Sequence, residues 1–426
     1  MQYIPAYLFA IWNILVIGSL GVTEAWDSRS QDFIDRGLRL LQLEGEASYN
    51  LYGVLSGRLK NRQDDSAGMC NRGDGHHCGD HDDARKEKYP PCTLENLIIR
   101  KEWRFMAKAE RRKYIDAVYC LRSKPSLVSE EEAPGSKSLY DSFSAANFLA
   151  WHRYFVWAYD KALREECGYE GASPYWEWGY DVYDPHGSAV FDGSPYSMGS
   201  DGAPLPNRDP TYTSPPPPPL PADPNDPGFP AGLGGGCVMY GPFSDWNISF
   251  SPVNDQGATL DERLRYSPGC LKRDMNPYIG QHYNAFNWST WTIEESKDMF
   301  GFLSRLSGAQ GNFGTPDFET NLFGVHGGGH IFLGGMTGSH SDFFASPQEP
   351  AFFLHHGQID RLWNIWQWLD IEERRDDLYG TLTFANIPPT RNGTLDDILD
   401  MGPLAPAIPT RDAMSIIDGP FCYLYV

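Results

Sequence analysis

Eleven histidines are spread over 426 residues, and four of them are placed as if to meet. His326 and His330 stand i, i+4 in "VHGGGH", and His355 and His356 follow in "FFLHHGQID". On a helix, i, i+4 spacing puts two imidazoles on one face, about 6 Å apart at Cβ. That arrangement suits chelation of a single ion, and a third imidazole would complete the set. Adjacent helical residues lie about 100° apart, so only one of His355 and His356 can face the same point. His356 is i, i+4 with Asp360, a carboxylate able to hold the imidazole tautomer from behind. This selects His356 as the ligand and leaves His355 beside the pocket as a candidate catalytic neighbour. An all-imidazole set without thiolate or carboxylate suits copper or zinc. One such pair is ordinary in a chain with 11 histidines, but three histidines within 31 residues amid Trp and Phe are not.

Gly327, Gly328 and Gly329 separate the first pair. Each costs a helix about 1 kcal/mol, which implies a compensating gain. The expected gain is open space through which a planar ligand could approach the metal. A further candidate ligand is His152, in "NFLAWHRYFVWAYDKALREEC", which sits between Trp151 and Arg153 on an aromatic helix face.

Helices must present these residues. The spacing predicts helices over 31–60, over 94–121 with Tyr114, Val118 and Leu121 on one face, and over 147–168. Thr292 and Glu295 read as a capping box opening a short helix through Met299, Leu303 and Leu306. The stretch after Pro350 reads as a long amphipathic helix. Strand signals are short and few, so the fold class is mainly α. The Asp- and Gly-rich stretch around His76, His77, Cys78 and His81 reads as a solvated surface loop. Residues 204–228, with "SPPPPPLP", read as a stiff Pro-rich loop insertion. No internal repeat is visible.

A net charge of -21 disfavours nucleic acid and anionic membrane surfaces as partners. Residues 1–25 read as a secretory signal peptide, although no Lys or Arg precedes the apolar run. Eight cysteines without a CxxC fit structural disulfides in an oxidising compartment, with the pairing left open. Sequons at Asn247, Asn287 and Asn392 agree with export. The expectation is a secreted, N-glycosylated protein with no membrane span in its mature form.

"FLAWHRYFVWAYDKALREECGY", "PYWEW", "VHGGGH" and "EPAFFLHHGQIDRLWNIWQW", in this order and with a terminal "CYLY", resemble the tyrosinase and catechol oxidase family, most closely its short secreted fungal members. The resemblance spans roughly residues 90–425. It implies a four-helix bundle with long loops, a tyrosinase-like domain over 91–426 and, before it, an N-terminal helix and loop over 26–90. It also implies two copper ions, small phenolic substrates and O2. The second copper site carries over onto His326, His330 and His356, and His152 matches the third ligand of the first. Glu319, seven residues before His326, is similar to the family's buried glutamate near the second copper, a candidate base. Gly327 stands where members that hydroxylate monophenols often carry Asn, which implies oxidation of o-diphenols with weak or no monophenol hydroxylation.

One departure is large. The resemblance implies another first-site histidine at position 142 or 143, where this chain has Ser142 and Phe143, and a further one upstream. The segment from Pro91 to Trp151 contains no histidine. Either a short coding segment is missing here, or this relative has lost half its first site. As written, the chain is expected to hold one well-ligated copper. The competing readings are a catalytically inactive copper-binding relative and a haemocyanin-like oxygen carrier.

Overall fold

The computed structural model describes residues 28–65, 88–143, 149–212, 228–250, 259–308, 323–383, 386 and 388–426. The signal-like start, Glu319, the loop with His76, His77 and His81, and most of the Pro-rich stretch lie outside the described residues.

Seven helices carry the architecture: α1 (Ser28–Asp65), α2 (Lys108–Ser123), α3 (Leu149–Cys167), α4 (Phe286–Glu294), α5 (Met299–Ser307), α6 (Gly324–Gly334) and α7 (Phe352–Leu369). Helices α2, α3, α6 and α7 form the bundle: α2 packs on α3, α3 on α7, and α7 on α6. The mainly-α expectation holds, and the described strands are two to four residues long and pair two by two.

The reason α7 sits at the centre is in its composition. It reads as amphipathic, yet every residue from Phe352 to Trp368 is buried. A helix that is apolar or internally paired all round belongs in a core. Several of its polar residues find partners on other elements. Arg361 donates to Glu44 of α1 at 2.8 and 2.7 Å and to Glu177 at 2.7 Å. Helix α1 reaches α7 with the stripe Leu40, Leu43, Ala47, Leu51 and Leu55, each at most 3% exposed.

The C-terminal strand is tied to the segment that precedes α2. Ile98–Arg100 pairs in parallel with Tyr423–Tyr425, and a disulfide joins Cys92 to Cys422. Two more disulfides join Cys120 to Cys167, linking α2 to α3, and Cys237 to Cys270.

Two local readings change. Thr292 does not open a helix: it lies in the last turns of α4, where its hydroxyl donates to the Trp288 carbonyl. Helix α5 is instead capped by Asp298, which accepts from Gly301 N at 2.8 Å. Both residues can cap, and the carboxylate lies immediately before the apolar run. The helix expected over 94–121 begins only at Lys108, because Ile98–Arg100 is drawn into a strand by the C-terminal tyrosines.

Candidate metal centre

Helix α6 is a regular helix despite its three glycines, so His326 and His330 share a face. Helix α7 brings His356 to the same point. His330 Nε2 lies 3.2 Å from His326 Nε2 and 3.3 Å from His356 Nε2. Imidazole nitrogens about 2.0–2.1 Å from a tetrahedral ion are about 3.3 Å apart, so this spacing fits a single metal. The tautomer fits as well. His330 Nδ1 donates to the His340 carbonyl at 2.7 Å, which leaves the Nε2 lone pair to the centre. Burial, with the neighbouring imidazoles, pushes His326 and His356 well below the ordinary histidine range, and burial pushes His330 down to about 4. The three rings are therefore neutral at physiological pH, the form that binds a metal.

His355 joins the cluster. It is wholly buried, and one nitrogen each of His326, His330, His355 and His356 lie within 4.8 Å of one another. Its Nδ1 accepts from Trp178 Nε1 at 3.1 Å. On the other side, the His152 ring of α3 stacks on His356 at 4.2 Å between centroids.

Asp360 does not hold His356. Its Oδ1 accepts from Arg153 Nε at 2.6 Å, and its Oδ2 accepts from the hydroxyls of Tyr423 and Tyr425, each at 2.6 Å. Arg100 lies 3.6 Å from Oδ2. A buried carboxylate within reach of two guanidinium groups is stabilised by charge, which a neutral imidazole cannot match. Burial alone would raise this carboxyl, but Arg153, Arg100 and the two hydroxyls hold it below its ordinary value. Asp360 thus ties α7 to α3, next to His152, and to the C-terminal strand.

The glycines also act differently from expectation. A side-chain carbon on Gly329 would meet His355 Cε1 at 2.4 Å, and one on Gly328 would meet Tyr283 Cβ at 2.4 Å. These two positions admit neighbouring rings rather than keep a path open. Gly327, which follows His326, is half-buried, and its N–H donates within the helix to Phe323.

At the two positions where the resemblance implied a further imidazole, the described structure has a core ring and a hydroxyl. Phe143 is 1% exposed and packs edge-on against Tyr159 and Phe353. The Ser142 hydroxyl lies 3.1 Å from that of Ser126. His152 is the histidine this side contributes among the described residues.

Sequence spacing missed two residues. His340 is fully buried beside His330, 4.6 Å between ring centroids, because the chain turns back after α6 through Gly335 and Gly338. Trp178 reaches the site from a short 3-10 turn in "PYWEW". The one available signal was that His340 follows His330 by ten residues across a glycine-rich turn.

A helical bundle whose buried centre gathers imidazoles alone defines a histidine-ligated metalloprotein, and copper is a metal such donors suit. The family described as the common central domain of tyrosinase matches residues 121–369. Tyrosinase P of Aspergillus terreus is 37% identical over 358 residues, covering 79% of this chain and 94% of that protein. An N-acetyl-6-hydroxytryptophan oxidase of Emericella nidulans is 36% identical over 364 residues, covering 78% and 93%. A solved polyphenol oxidase mutant from Thermothelomyces thermophila superposes with a TM-score of 0.75 at 32% identity, covering 91% of this chain and 97% of that one. The chain belongs to the tyrosinase family and is a type-3 copper oxidoreductase. The family acts on phenolic substrates with O2.

Proposed function

We propose that this protein oxidises o-diphenols to o-quinones, with weak or no monophenol hydroxylation, at copper held by His326, His330 and His356. The observation that carries this reading is the convergence of three Nε2 atoms, with that of His330 3.2 Å from that of His326 and 3.3 Å from that of His356. Copper there would supply the electron transfer from phenol to O2. The chain's own residues do the positioning. The His340 carbonyl fixes the His330 tautomer, and Asn284 anchors the start of α6 by donating to Val325 O at 2.8 Å. The Asp360–Arg153 pair sets α3 against α7. In balance, two diphenols give up four electrons and four protons to one O2, yielding two quinones and two waters. Gly327, without a side-chain amide, supports diphenol over monophenol chemistry. Glu319, which lies outside the described residues, is proposed as the base.

A second reading, a copper-binding relative without turnover, is favoured by Phe143 and Ser142 standing where a first-site imidazole is expected. Copper per chain and catechol turnover on purified protein decide between the two. Two coppers with quinone formation support the oxidase. One copper with no quinone supports the inactive relative. Reversible O2 uptake without quinone would mean a haemocyanin-like carrier.

Export is proposed from the signal-like residues 1–25, the three disulfides and the sequons, of which Asn247 and Asn392 are exposed. A mobility shift on enzymatic deglycosylation of secreted protein tests it, and intracellular retention of an unglycosylated chain would overturn it.

A further inference from the structure

We propose that Trp178 keeps the metal's fourth position open by holding His355 out of the ligand set. This rests on the reading that His326, His330 and His356 bind copper. Four imidazoles, not three, have a nitrogen inside the 4.8 Å cluster, so proximity alone permits a closed four-histidine site. Three protein ligands and an open position mark catalytic centres, whereas four mark structural ones. Something must decide between the two.

The deciding contact is the hydrogen bond from Trp178 Nε1 to His355 Nδ1 at 3.1 Å. An indole N–H only donates, so His355 Nδ1 must accept and carry no proton. A neutral imidazole has one N–H, which therefore sits on Nε2. His355 then has no free lone pair at either nitrogen. His330 is set the opposite way: a carbonyl takes its Nδ1 proton and frees Nε2. One partner is a donor and the other an acceptor, and this difference frees a lone pair toward the centre on His330 and none on His355.

The surroundings prevent His355 from escaping by rotation. A side-chain carbon on Gly329 would lie 2.4 Å from its Cε1 and 2.6 Å from its Nδ1, so the α6 backbone abuts that edge. The ring stacks on His326 at 5.6 Å and stands edge-on to His330 at 4.5 Å and to His356 at 5.0 Å. Trp178 is a positioning residue, acting on the metal through His355.

The test begins on metal-free protein labelled with 15N-histidine. A two-bond 1H–15N correlation spectrum should show His355 with its proton on Nε2, and Trp178→Phe should introduce the other tautomer. His355→Leu identifies the signals by their loss. If that variant does not fold, the peaks that change in Trp178→Phe identify them. On copper(II)-loaded protein, azide binding followed by absorbance probes the open position. Trp178→Phe should weaken azide about 10-fold, because a fourth imidazole would then compete for the position azide takes. The double variant Trp178→Phe/His355→Leu should recover wild-type azide affinity, which general damage to the fold would not. A wild-type His355 protonated on Nδ1, an unchanged azide affinity in Trp178→Phe, or no recovery in the double variant would each overturn the proposal. A protein that takes up no copper would instead defeat the ligand reading, and the tautomer measurement would still decide this one.

Discussion

The two flanks of His356 differ sharply. On the α6 side, two histidines from one helix and one from another converge, and a backbone carbonyl and an indole set the tautomers of their neighbours. On the α3 side, His152 stacks on His356, but the preceding segment contributes Phe143 to the apolar core instead of an imidazole. Both flanks rest on the same scaffold, joined by the Asp360–Arg153 pair, and the Cys120–Cys167 disulfide fastens α2 to α3 on one of them. The apolar packing around Phe143, Tyr159 and Phe353 continues across the flank that contributes a single imidazole.

The largest expected effect breaks both flanks together. Asp360→Asn leaves Arg153 buried without its counter-charge and Arg100 with Asp160 alone, and should cost about 3–5 kcal/mol in denaturant unfolding. Replacing both Cys120 and Cys167 with Ser loosens α2 from α3 and should cost about 2–4 kcal/mol, read in the same way.

Ligand deletion then separates the flanks. His330→Ala should weaken copper binding by about 100-fold or more in competition with a chelator, exceeding the effect of groups behind the ligands. His152→Ala should weaken it less than about 10-fold, the lower end of the effect of groups outside the three ligands. Equal losses in these two variants would dissolve the comparison.

The smallest effect is a flat line. His330 stays neutral in the folded chain until pH nears about 4, against about 6.5 for an ordinary histidine. Copper affinity should therefore change little between about pH 7.5 and about pH 5.5, where ordinary histidines would begin to protonate. The sign for folding is the reverse. The unfolded chain takes up the proton first, so stability falls as pH drops below about 6.5 and levels off below the folded value. A steep loss of copper affinity by pH 6 in folded protein would contradict the neutral, buried centre.

Much of this was legible in residue order, and the failures share a cause. Local periodicity placed His326, His330 and His356 on facing helices, and the buried stripe of α1 follows its leucine spacing. The same local logic paired Asp360 with His356 four residues away, although its real partners, Arg153, Tyr423 and Tyr425, come from distant segments. It gave the start of α5 to Thr292 when Asp298 was the better acceptor at hand. It read the glycines of α6 as an opening, when Gly328 and Gly329 are small because Tyr283 and His355 press against them.

What the sequence determined by itself was the inventory: a mainly helical chain with imidazoles at i, i+4 on one helix and a histidine pair on another, because helical period is a property of the backbone alone. What only the tertiary structure decided was which nitrogen of each imidazole keeps its lone pair. That depends on whether a donor such as Trp178 or an acceptor such as the His340 carbonyl arrives at Nδ1, and those groups are brought there by folding rather than by proximity along the chain.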